Sequence, residues 1–200
     1  MNVTAAGQDQ GMDGYLTLDD PTAAYDTIVD EVGGLMATVT PQRMDDPTPC
    51  ADWTVRQLLR HLAFINDRYA TLAEGGPLLE EHPDYADPVA AFGEHAVRAR
   101  AAFRRPGYLA EVGPTPIGPQ PGEVTVQHVV NELTTHGWDL ARALGADTDV
   151  APDLARRVRA SWASYLDGQP RDGGPFGPEL PAPAGATEAD RLAAYLGRAA

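Results

Sequence analysis

Glu132 and His136 stand four residues apart in the run Asn131-Glu132-Leu133-Thr134-Thr135-His136-Gly137-Trp138-Asp139-Leu140, and a second imidazole, His61, lies about seventy residues upstream. On a helix, positions i and i+4 share a face, so a carboxylate oxygen and an imidazole nitrogen there converge on one point. A set of two histidines and one carboxylate suits zinc or another first-row divalent ion, and it leaves coordination positions open for chemistry. Spacing alone is not diagnostic, because Glu-x-x-x-His recurs by chance. The competing interpretation is an ion pair on a helix flank together with a satisfied core histidine.

The neighbouring residues carry alternatives of their own. His128, four residues before Glu132, is either a fourth ligand or a solvated residue, and its direction away from the apolar stripe favours the solvated face. Asp139 is placed to orient the His136 imidazole as an outer acceptor, or to serve as an ordinary helix-end carboxylate. Cys50 has no histidine near it in sequence and reads as a small buried residue rather than a nucleophile. His82 and His95 read as surface residues, Trp53 and Trp138 as core or pocket walls. Ser161 and Ser164 lack the context of a nucleophile elbow, so a serine triad is not supported.

The elements that must position these groups are helical. Pro21, after Asp19 and Asp20, opens a helix whose apolar stripe is Tyr25, Ile28, Val29, Val32, Leu35 and Met36, ending near Thr40-Pro41. Thr54 and Gln57 form a capping-box pattern ahead of Val55, Leu58, Leu59, Leu62 and Ile65, and His61 falls among them, pointing toward the core. Asp87-Pro88 starts a third helix with Val89, Phe92, Ala96, Ala99 and Phe103 inward. Residues 112–122 read as an irregular Pro/Gly-rich crossing, after which Thr125 is the expected cap of a fourth helix running to Gly145. Glu132 and His136 lie on one border of its stripe. A fifth helix from about Pro152 to Leu166 is expected to bury Leu154, Val158, Trp162 and Tyr165. After extended segments around Phe176 and Leu180, a short helix runs from Thr187 to Gly197. The predicted class is all-α, a helix bundle.

Composition removes several functions. The formal net charge of -14 argues against nucleic acid and anionic membrane as partners. All fifteen positive charges are arginine, which excludes lysine Schiff-base or general-base chemistry and leaves arginine to clamp carboxylates. A single cysteine excludes an intramolecular disulfide and fits a reducing cytoplasm. No apolar run approaches the roughly 20 residues that span a bilayer, and the start of the chain has no secretion-signal pattern. One domain over residues 15–200 is expected, with residues 1–14 disordered.

Three stretches taken together carry a resemblance. They are Thr48-Pro49-Cys50-Ala51-Asp52-Trp53-Thr54-Val55-Arg56-Gln57-Leu58-Leu59-Arg60-His61-Leu62, then Glu132 through His136-Gly137-Trp138-Asp139-Leu140-Ala141-Arg142-Ala143, and then Asp190-Arg191-Leu192 with Leu196-Gly197-Arg198. In order and spacing the chain resembles the DinB-like metal-binding family related to mycothiol-dependent maleylpyruvate isomerase. The resemblance implies a DinB-like four-helix bundle with additional short C-terminal helices. It also implies a divalent metal, zinc in the first instance, held by His61, Glu132 and His136, with mycothiol as a cosubstrate on the metal. A cation stabilises the thiolate of such a thiol near neutral pH. The isomerase relatives carry a further C-terminal domain that supplies an arginine, whereas this sequence runs about 55 residues past Gly145. Maleylpyruvate isomerisation itself is therefore not the expected reaction.

The expected function is a metal-dependent thiol S-transferase or isomerase acting on a small electrophile. The alternatives are a non-catalytic small-molecule-binding or resistance protein, and a thiol-independent Lewis-acid metalloenzyme of a specialised biosynthetic pathway.

Overall fold

Helix starts are set where short polar side chains can satisfy the free amides of a first turn. The computed structural model describes residues 18–50, 53–116, 118–171 and 176–199, so the expectation for residues 1–14 lies outside the described residues. Helix α1 (Pro21–Ala37) begins with the Asp20 carboxylate accepting from the Ala23 amide at 2.9 Å. Helix α2 (Val55–Ala73) has the predicted capping box, with Thr54 N–H donating to Gln57 Oε1 at 2.8 Å. Asp87 caps α3 (Pro88–Phe103) through the amides of Val89 and Ala90. Helix α4 (Gly122–Leu144) ends on Gly145 in the left-handed conformation (φ 64°), which glycine adopts without a Cβ penalty. Helices α5 (Pro152–Leu166) and α6 (Glu188–Tyr195) follow, the latter with a second capping box from Thr187 and Asp190.

The bundle is formed by α1 to α4. Helix α2 packs along α3 and α4, and α1 lies against α4 and α3, while α5 and α6 pack on each other and reach α4. Tyr25, Ile28, Val32 and Met36 of α1 meet Leu58, Leu59 and Leu62 of α2, Phe92 and Phe103 of α3, and Val126, Val129, Leu133 and Leu140 of α4 in one apolar core. Among the described residues, no helix is long and apolar enough to cross a membrane. The architecture is all-α, as the periodicity predicts.

Three expectations are corrected. Thr125 does not cap α4: the helix starts three residues earlier, at Gly122, and Thr125 Oγ1 donates back to the Pro121 carbonyl at 3.2 Å. Gly122 can begin there because it sits against another backbone segment, where a Cβ would stand 2.1 Å from the Tyr108 carbonyl oxygen. The preceding crossing is not wholly irregular, since β1 (Val112–Gly113) and β2 (Gln120–Pro121) pair antiparallel as a short hairpin. Tyr165, expected in the core, is 36% exposed. The segment around Phe176 and Leu180 forms no assigned strand; it is held by the amides of Gly177 and Leu180, which donate to the carbonyls of Leu196 and Ala194.

Gly137 of α4 lies close against α1, where a Cβ would meet Val32 Cγ2 at 2.9 Å. Val32 is fully buried and has nowhere to go. Gly137→Ala is therefore expected to destabilise the protein by about 1–3 kcal/mol despite its gain in helix propensity. Urea unfolding checks this; an unchanged or raised midpoint would contradict the tight contact.

Candidate metal centre

His61 comes from the middle of α2, Glu132 and His136 from successive turns of α4, and the packing of those two helices brings the three together. One ligand atom from each lies within 4.8 Å of the others. His61 Nε2 stands 3.7 Å and His136 Nε2 3.6 Å from the same oxygen, Glu132 Oε2. Those separations are too long for hydrogen bonds. They match two atoms bound to one ion, since ligands about 2.0–2.2 Å from a tetrahedral zinc stand roughly 3.4 Å apart.

The buried polar atoms point the same way. Neither ring nitrogen of His61 has a hydrogen-bond partner, although both are buried, an arrangement that costs stability unless something else occupies the lone pair. His136 is different: its Nδ1 is bonded to Asp139 Oδ2 at 2.9 Å, which fixes the ring and leaves Nε2 for the centre. Asp139, fully buried, is held in turn by Arg198, whose Nε and Nη2 donate to its two oxygens at 2.7 and 3.1 Å. The residues present thus fit a small divalent cation.

Charge is distributed to favour that cation. Burial pushes the His61 pKa down to about 4, only partly opposed by Glu132, so the ring is neutral. Burial would raise Glu132, but His136 and His61 outweigh it and hold the carboxyl well below its usual range. Burial also opposes charge on His136, yet the hydrogen bond to Asp139 and the nearby Glu132 carboxylate prevail and bring its pKa up to about 9. Without a metal, a proton on His136 plays the part of the cation.

Other histidines sit around this centre. His128 is half-buried rather than on a solvated face, its ring beside Tyr69 and Trp162, with Nε2 4.0 Å from the other Glu132 oxygen, Oε1. It lies outside the converging triad. His82 is exposed, as expected, but its ring lies over Phe64 and 5.2 Å from the His61 ring. His95 is half-buried beside Asp67 and Arg98, away from the surface role expected of it. Trp53 walls the centre, 4.7 Å from the His61 ring and stacked 5.7 Å from that of His136.

Two residues of the site had no assigned role in the sequence. Cys50 offers its sulfur within 4.8 Å of ligand atoms of His136 and Asp139, because the loop folds back through Thr48 N–H to the Trp53 carbonyl and Trp53 N–H to that of Cys50. Burial pushes its thiol up to about 11, so it stays protonated. Arg198 arrives from the far end of the chain, just after α6. The signal for both was their place in the stretches that carry the resemblance; neither has a partner nearby in sequence.

Trp138 ties α4 to that same distal segment, its Nε1 donating to Asp190 Oδ1 at 2.9 Å, and Asp190 also completes the α6 capping box.

The family described as mycothiol maleylpyruvate isomerase N-terminal domain matches residues 25–141, which include Cys50, His61, Glu132, His136 and Asp139. An uncharacterized protein of Mycobacterium tuberculosis, found in strains CDC 1551 and H37Rv, is 34% identical over 180 residues, covering 90% of this chain and 98% of the relative. Among solved structures, the crystal structure of the mycothiol-dependent maleylpyruvate isomerase shares the fold, with a TM-score of 0.55 at 21% identity over 72% of this chain and 68% of that one.

Proposed function

The chain belongs to the mycothiol maleylpyruvate isomerase N-terminal domain family, and from that premise we propose that it is a divalent-metal-dependent enzyme of the thiol S-transferase or isomerase type. His61, Glu132 and His136 are its proposed ligands, zinc its proposed metal, and mycothiol its proposed cosubstrate. The observation that carries this is the convergence of two histidine nitrogens on one Glu132 oxygen, with His61 otherwise unpartnered. When bound, the cation would supply the positive charge that keeps a thiol deprotonated near neutral pH.

The protein's own residues prepare that chemistry. Asp139 holds the His136 ring with its Nε2 facing the centre. Trp53 and His82 cover the two imidazoles from the outside and restrict access of water. Cys50, held protonated, does not compete as a nucleophile. The substrate is a small electrophile, and a reducing compartment such as the cytoplasm suits a free thiol cosubstrate.

The test is metal analysis of protein purified without added metal, followed by thiol consumption with mycothiol and a panel of activated alkenes and alkyl halides. Stoichiometric metal with mycothiol consumed on electrophile addition is the expected result. Mycothiol recovered unchanged with every electrophile, though bound, would favour a binding protein instead, and absence of metal would remove the centre.

Metal uptake should also depend on pH in a stated direction. His136, with its pKa near 9, is protonated at neutral pH, so an incoming cation must displace that proton. Apparent affinity is expected to rise about tenfold per pH unit from pH 7 toward 9 and then flatten, with about one proton released per ion at pH 7. Without metal the sign reverses for stability. The raised pKa contributes stability that is complete below the unfolded value near 6.5 and is lost as pH climbs through 9. Calorimetry in buffers of different ionisation enthalpy counts the protons; no release at pH 7 would mean that His136 is already neutral.

A further inference from the structure

The triad is nearly closed. Its side chains are 13% exposed at His61, 15% at Glu132 and 9% at His136, and two further rings lie against His61, Trp53 at 4.7 Å and His82 at 5.2 Å. Aromatic rings at such separations are in contact and leave no room for a ligand between them. For a hydrated ion or a substrate to reach the centre, one of these covers must move.

The two covers are held differently. Trp53 sits in a loop stitched by its backbone: Thr48 N–H donates to the Trp53 carbonyl, and the amides of Val55 and Arg56 donate to the carbonyls of Asp46 and Met44. Thr54, the next residue, caps α2. His82 lies in residues 77–86, between α2 and α3, whose backbone makes no backbone hydrogen bond to any other element among the described residues. Three side chains of α2 tether that segment instead. Arg60 pairs with Asp84, Arg68 Nε donates to the Leu79 carbonyl at 2.8 Å, and Asp67 accepts from the Tyr85 hydroxyl at 3.0 Å. The Asp84 side chain is 83% exposed, so its ion pair holds weakly. The His82 ring is exposed, and it rests on the fully buried Phe64 at 4.2 Å. Gly75 (φ 82°), just past the end of α2, supplies a joint. Segments held by a few exposed contacts open locally at low cost.

We propose that residues 77–86 are a strap that gates the centre, lifting His82 off Phe64 and His61 to admit an ion or a small molecule, while Trp53 is the fixed wall. What passes through rests on the metal reading above; the closure over His61 does not. A gate changes the rates of entry and exit by the same factor, so equilibrium affinity is unaffected.

Two variants loosen the strap at different points: His82→Ala removes the cover, and Asp84→Asn removes one tether. In the metal-free full chain, acylation of His61 by diethyl pyrocarbonate, mapped by mass spectrometry, is expected to run about tenfold faster in His82→Ala and about two- to fivefold faster in Asp84→Asn, at unchanged melting temperature. With zinc as the probe, uptake and chelator extraction are expected to accelerate together by the same factors, leaving the affinity as in wild type. Labelling at the wild-type rate in both variants overturns the strap and leaves the proposed centre standing. Faster labelling in His82→Ala alone overturns it too, because the ring would then plug an opening in a fixed loop. An affinity that changes in step with the extraction rate does the same, since the segment would then hold the ion rather than gate it. Should wild type take up no zinc, the metal reading fails instead, and the labelling of His61 decides the strap by itself.

Discussion

His136→Ala is expected to purify with almost no metal under conditions in which wild type carries about one divalent ion per chain. The variant removes one of three proposed ligands from a centre whose other histidine, His61, has no alternative partner. Loss of an outer residue around such a site already costs about 10–100-fold in affinity, so loss of a direct ligand is expected to cost more than about 100-fold. His61→Ala should behave in the same way. Elemental analysis of both variants, with circular dichroism to confirm the helices, decides it. Equal metal in wild type and variants would remove His61, Glu132 and His136 as ligands.

Asp139→Asn is expected to be the most destabilising isosteric change in the molecule. Asp139 is fully buried and Arg198 is 7% exposed, and the two share both carboxylate oxygens. Removing one partner of a buried pair leaves the other charge uncompensated, at a cost of about 3–5 kcal/mol. The same substitution releases His136 Nδ1 from its acceptor, so metal affinity should fall by about 10–100-fold as well. Denaturant titration and metal competition read the two effects separately. Arg198→Met serves as the comparison: it breaks the pair but leaves the bond from Asp139 to His136. A fall in stability with unchanged metal affinity in Asp139→Asn would mean that the carboxylate does not position the histidine.

Much of this arrangement was legible before folding. The caps at Asp20, Thr54, Asp87 and Thr187 and the stop at Gly145 are local chemistry, and each acts over three or four residues that are adjacent in the chain. The misreadings have local causes too. Thr125 looked like a cap because Ser, Thr, Asp and Asn favour that position. The true start is dictated by Gly122 lying under the Tyr108 carbonyl, a contact across fourteen residues.

The sequence by itself determined the helices, the face that Glu132 and His136 share, and the inward direction of His61, because these follow from a period of 3.6 residues and from short-range hydrogen bonds. Only the tertiary structure decided which distant groups complete the centre. It brought Cys50 against His136, set Arg198 on Asp139 across 59 residues, and drew His128 inward beside Trp162. Such contacts depend on how whole helices and loops pack against each other, which no local pattern encodes. Burial then converts those contacts into shifted charges, because a buried ionisable group answers to its few neighbours rather than to water.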